Sequence, residues 1–249
     1  MTTKTLIGRS IALLSFAINF SCSKSSTTKD NSAGNTKICQ VIAAYDITSS
    51  GDTIDRYLFQ YDGKNRPSQV TYKANVFPYI AHLTYDGNKI YRATDAGINS
   101  SSDTILLNNA GFIAQARGSS GAGTYVTNYT YSSENELQNI SVQSPGRATV
   151  SIDYFYTNGD VTKIVNGSMT NIMVYDTNKP AVLGSLENLL QYLSLGAYYY
   201  KSKHLPISNT NGTNPMEYSY SYTAEGNIST ITSTTGGATM KTAFQYNCQ

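Results

Sequence analysis

Three neighbouring aspartates, Asp46, Asp52 and Asp55, are the nearest this chain comes to a catalytic set. Paired carboxylates serve glycoside hydrolysis, one as acid and the other as base or nucleophile. Here they lie beside a Ser-Ser-Gly turn, so solvated turn residues are the expected reading and a carboxylate-based hydrolase is the alternative. His82 falls within an apparent strand and His204 precedes Leu205-Pro206. The two stand alone, without the companions a metal centre needs, and both read as structural. Residues 118–123 (GSSGAG) are glycine-rich but open no helix, so they read as a mobile link between strands rather than a phosphate loop. No serine sits in a nucleophile elbow. The sequence assigns no catalytic residue, no metal and no cofactor.

Tyrosine is what the chain has in quantity, with 21 Tyr and no Trp. Tyr combines a flat apolar body with a polar tip, which suits glycans and peptides. The candidate contacts are Tyr198, Tyr199 and Tyr200, which follow one another, and Tyr218, Tyr220 and Tyr222, which alternate along one strand face. Cross-strand packing inside a sheet is the competing use of the same side chains. Formal net charge is +2, and no basic stripe accompanies the aromatics, so nucleic acid is not an expected partner.

The elements that must hold these residues begin after the N-terminal segment. Lys4 and Arg9 precede a short apolar run, Ile11–Ile18, and Ser21-Cys22 follows it. The run is too short to span a bilayer. Residues 1–22 therefore read as an export signal of the lipoprotein kind, with Cys22 the expected lipid carrier, although Asn19 departs from the usual aliphatic residue. Residues 23–37 contain no apolar side chain larger than Ala and read as a flexible tether. The expected location is the cell envelope, with the membrane as a partner through the lipid. No later stretch is long and apolar enough for a transmembrane helix, and the C-terminal residues carry no hydrophobic anchor tail.

Residues 38–249 read as a single β domain built on a repeat. An aromatic residue followed by a turn former recurs at Tyr61-Asp62-Gly63, Tyr85-Asp86-Gly87, Tyr131-Ser132, Tyr156-Thr157-Asn158-Gly159, Tyr175-Asp176, Tyr222-Thr223 and Tyr246-Asn247. The slot between the second and third is filled by Asn108-Asn109-Ala110-Gly111, and the early spacings are 23–25 residues. Each unit holds two alternating strands and two turns, with Asp-Gly or Asn-Gly supplying positive φ. That leaves no room for helical crossovers, so pairing must be antiparallel. The expected fold is an up-and-down meander of fourteen to sixteen strands, rolled into a barrel-like or half-barrel sheet. Ser185–Leu193 interrupts it with Leu186, Leu189, Leu190 and Leu193 at helical spacing, which predicts a short helix over about 185–195.

If Cys22 carries lipid, Cys39 and Cys248 remain as a pair in an oxidising compartment. They fall in the first and last predicted strands. A bridge between them is one reading, and two separate thiols or an intermolecular bond are the others.

The hairpins resemble YD-type repeats. Tyr175-Asp176 with Asn178-Lys179-Pro180, Ser202-Lys203-His204-Leu205-Pro206, the hairpin Tyr222–Ile231 and the closing Phe244-Gln245-Tyr246-Asn247-Cys248 make the likeness more particular. Over about residues 38–249 the chain resembles a Bacteroidota lipoprotein family described only as a domain of unknown function with a porin-like fold. The resemblance implies a curved many-stranded sheet and an envelope location, and it implies no catalytic residues. The functional expectation is a non-enzymatic envelope lipoprotein that binds a glycan, a peptide or another envelope protein. A structural or assembly role at the cell surface is the alternative.

Overall fold

The computed structural model describes residues 39–74, 78–97, 100–120, 123–182, 184, 201–211 and 214–248. The export segment, the tether, the helix expected at 185–195 and Tyr198–Tyr200 lie outside the described residues. Sixteen strands account for most of the described residues. The first eight are β1 (Cys39–Thr48), β2 (Thr53–Tyr61), β3 (Pro67–Ala74), β4 (Tyr79–Asp86), β5 (Lys89–Asp95), β6 (Ser101–Leu107), β7 (Ile113–Ser120) and β8 (Gly123–Tyr131). The second eight are β9 (Leu137–Gln143), β10 (Val150–Thr157), β11 (Asp160–Asn166), β12 (Met169–Pro180), β13 (His204–Asn211), β14 (Asn214–Tyr222), β15 (Ile228–Thr235) and β16 (Ala238–Cys248). No α-helix occurs among the described residues.

Every strand pairs antiparallel with its neighbours in sequence, and β16 pairs with β1. The sheet is thus a closed barrel, where the sequence left a half-barrel open. Closure follows from accumulated strand twist and removes both unpaired edges. At the seam Cys39 stands directly opposite Cys248, and the two are joined by a disulfide across 209 residues.

Buried side chains from almost every strand form one cluster, including Val41, Phe59, Val70, Leu83, Ile90, Ile105, Leu137, Ile164, Leu205, Ile231 and Phe244. In a closed barrel such a cluster can only be the interior. Side-chain alternation then fixes the other face. Ile80, His82, Thr84 and Asp86 on β4 point out and are mostly exposed, while Ala81 and Leu83 point in and are buried. The outer wall carries Gln69, Gln115, Asn128, Ser151, Lys163, Ser219, Thr232 and Lys241, with Phe155, Ile172 and Val174 exposed among them. A lipid-facing barrel has the opposite alternation, apolar outside and polar inside.

The near end of the barrel, which carries Cys39 and Cys248, also carries the aromatic turns. Most share one five-residue design. Asp62 Oδ1 accepts from the backbone N–H of Lys64 (2.8 Å) and Arg66 (3.0 Å). Asn108 Oδ1 does the same for Ala110 and Phe112, and Ser132 Oγ for Glu134 and Glu136. Asp and Asn suit this position because a short polar side chain can cap its own turn. The left-handed residue is the fourth: Asn65 (φ 60), Gly111 (φ 82), Asn135 (φ 62) and Gly226 (φ 83). Positive φ thus falls on Asn65 and not on Gly63 of the Asp-Gly pair, because this turn is longer than a two-residue hairpin.

The recurring tyrosine is structural. In four hairpins its hydroxyl donates to a backbone carbonyl of the preceding strand: Tyr61 to Val41 (2.6 Å), Tyr85 to Pro67 (2.8 Å), Tyr131 to Ile113 (2.7 Å) and Tyr246 to Ile228 (2.5 Å). In β14 the same bond, to Pro206 (2.5 Å), comes from Tyr220, two residues before the recurring Tyr222, and the Tyr175 hydroxyl accepts from Ser202. Burial pushes the phenols of Tyr61, Tyr85, Tyr131 and Tyr246 upward. Replacing Tyr246 by Phe keeps the ring and orphans the Ile228 carbonyl. The expected loss is about 1 kcal/mol in urea unfolding. An unchanged midpoint would show that the contact adds no stability.

Candidate functional site

The six candidate tyrosines divide. Tyr198, Tyr199 and Tyr200 lie outside the described residues. Tyr220 is occupied with the Pro206 carbonyl. Tyr222 sits at the near rim, 44% exposed, where β15 bulges opposite it. Tyr218 faces inward, packed against the core.

The histidines are placed by their partners. His82 points outward from β4. His204 Nδ1 lies 2.7 Å from Asp160 Oδ2, and its backbone N–H donates to Oδ1 at 2.9 Å. Ser202 Oγ accepts from the Val161 N–H and donates to the Tyr175 hydroxyl. These bonds fasten the start of β13 onto the β10–β11 turn, which makes the cluster a structural clasp.

The interior near the far end is different in character. The aspartates separate by strand alternation. Asp52 accepts from Ser50 Oγ in the exposed β1–β2 turn, as a solvated turn residue should. Asp46 and Asp55 are paired across β1 and β2 and face inward together. Thr242 on β16 donates to Asp46 at 2.6 Å. Tyr57 and Tyr72 stack with centroids 4.7 Å apart, and Tyr79 tilts against Tyr72 at 5.2 Å. Asp55 lies two residues before Tyr57, which pairs with Tyr72, on the same inward face. Burial first, and then the neighbouring Asp55 carboxylate, push the Tyr72 phenol up to about 12. Tyr57 is raised as well, by burial first and by Asp46 next.

Further round the wall, Arg92 on β5 donates through Nε (2.7 Å) to Asp103 Oδ2 on β6. Tyr125 on β8 donates to the other oxygen of Asp103. The Asp103 side chain is fully buried and the Arg92 side chain is 16% exposed. Gly118 on β7 makes this possible, because a Cβ there would overlap both Asp103 and Tyr125. Gly118 to Ser120 belong to β7, so the glycine expected to start a mobile link instead leaves room inside a strand. On the opposite wall Asn171 is buried and Asn209 faces inward beside Met173 and Met216.

Most of this belt is partly exposed although it points into the barrel, so solvent reaches it. Sixteen strands enclose more space than one inward layer of side chains fills. The apolar cluster occupies the middle and near part, and the polar belt lines the far part.

Asp46 has its pKa raised, first by desolvation and then by Asp55, with the Thr242 hydrogen bond opposing both. A carboxyl raised in the folded state binds its proton longer than in the unfolded chain, so it lowers stability as pH climbs from the ordinary 3.8 of an aspartate through its folded value. Asp46→Asn removes that loss. The variant should be at least as stable as the parent at pH 7, with its relative advantage shrinking at pH 3. Urea midpoints at the two pH values check this, and a variant that loses more at pH 7 than at pH 3 contradicts it.

Comparison with known proteins supports the fold alone. No protein-family model matches the chain, and no curated protein matches it significantly. Among solved structures it is similar to a porin-like protein from Bacteroides uniformis ATCC 8492, with TM-score 0.61 and 12% identity over 82% of this chain and 96% of that one. It is also similar to a porin-like protein from Bacteroides vulgatus ATCC 8482, with TM-score 0.58 and 13% identity over 83% and 98% of the two chains. The all-β meander expected from the repeat, and the porin-like fold that the resemblance implied, are therefore the observed architecture.

Proposed function

We propose that the chain is an envelope lipoprotein whose barrel binds a polar organic ligand at the far end of its interior, without chemistry on it. The carrying observation is the solvent-reached belt of Tyr57, Tyr72, Tyr79, Asp46, Asp55 and Arg92 inside a closed barrel. The polar outer wall supports a domain that sits in water and needs an attachment to stay at a membrane. Lipid at Cys22 and a tether at 23–37 are that attachment. The tether enters at Cys39, on the near end, so the belt opens on the side away from it.

Two measurements test the reading. Membrane fractionation should find the parent protein with the envelope membranes and Cys22→Ala released. A variant that stays membrane-bound contradicts lipid anchoring. A thermal-shift screen of the full chain against soluble glycans and short peptides should raise the melting temperature with at least one class. No shift with either class, together with an envelope proteome altered by gene deletion, would favour the structural role instead.

A further inference from the structure

We infer that the ligand is a saccharide that is neutral or amine-bearing and carries no acidic groups. This rests on the reading of the interior as a binding site. Sugars present apolar C–H faces edged by hydroxyls, and they are held by aromatic surface combined with convergent hydrogen-bonding groups. The belt offers both. Tyr57, Tyr72 and Tyr79 form a continuous aromatic ladder across β2, β3 and β4, with Asp46 and Asp55 on the same inward face. Asp46 and Asp55 add carboxylate acceptors, and neither forms an ion pair among the described residues. On the opposite wall Asn209 Oδ1 is shielded from solvent and accepts no hydrogen bond among the described residues. A hydroxyl-rich ligand supplies the donors that these acceptors lack.

Charge narrows the class. Among the described residues the far interior holds three carboxylates, Asp46, Asp55 and Asp103, against one guanidinium, Arg92. That guanidinium is already engaged by Asp103. A ligand carboxylate would therefore meet like charge with no free partner, whereas an ammonium would be drawn to Asp46 and Asp55 and to the tyrosine faces.

Calorimetric titration of the full chain with β-linked oligosaccharides of glucosamine, N-acetylglucosamine and galacturonic acid, matched in length, tests this. The first two should bind, with the acidic one about tenfold weaker or worse. The Asp46→Asn/Asp55→Asn double variant should narrow that gap. Tyr72→Ala should weaken binding about tenfold, and Tyr72→Phe, which keeps the ring, should lose less. Thermal unfolding of each variant confirms that it is folded. Equal binding of the acidic oligosaccharide overturns the inference. So does stabilisation by peptides with no saccharide bound, and in that case the binding reading of the interior survives. If neither class binds, both readings fall.

Discussion

Cys39→Ala, alone or with Cys248→Ala, should lower stability by about 5 kcal/mol in the chain-entropy account of a loop this long, and by less if the reduced unfolded chain keeps structure. The bridge spans 209 residues, so it restrains nearly the whole unfolded barrel. It also clasps β1 with β16, the first and last strands, a pairing that no connecting segment enforces. All other neighbouring strands are joined by short connections, except β12 and β13. Urea unfolding of the parent under oxidising and reducing conditions, beside the double variant under both, checks the expectation. A parent midpoint that reductant leaves in place would show that the seam holds without its covalent link.

Arg92→Ala should cost about 3–5 kcal/mol, because it leaves the fully buried Asp103 carboxylate with only the Tyr125 hydroxyl. A carboxylate buried without its cation carries its desolvation cost uncompensated. The discriminating variant replaces both partners, Arg92→Leu with Asp103→Leu. Buried ion pairs replaced by apolar groups of similar size are often neutral. Chemical unfolding should therefore rank the double variant well above Arg92→Ala. If the two are equally unstable, the damage comes from lost packing and not from an orphaned charge.

The period and the antiparallel pairing were legible because they rest on turn chemistry and two-residue alternation, which are local. Strand number followed from the same signals. Closure was not legible, because whether the last strand meets the first depends on twist accumulated over sixteen strands. The aromatic before each turn was visible as a repeat, but at Tyr61, Tyr85, Tyr131 and Tyr246 its partner is a carbonyl on the preceding strand, and only three-dimensional register reveals it. The belt was partly in view. Asp46 and Asp55 stood out as carboxylates, yet only the register of β1 with β2 turns them to the same interior. Arg92, Asp103 and Tyr125 lie on three different strands and share no motif. Gly118 gave the one available hint, a glycine inside a strand, which often marks a close approach by another group.

The seam disulfide has a mechanical consequence as well. Any pull on the chain ahead of residue 39 reaches the barrel at Cys39, where the first strand begins. Without a cross-link that force would peel β1 from β16 one hydrogen bond at a time, the weakest direction in which a sheet can be loaded. With Cys39 bonded to Cys248, the load passes into both strands at once and the ring resists as a closed hoop. If the chain ahead of residue 39 anchors the domain, as proposed, the bridge protects it at the point where drag would open it.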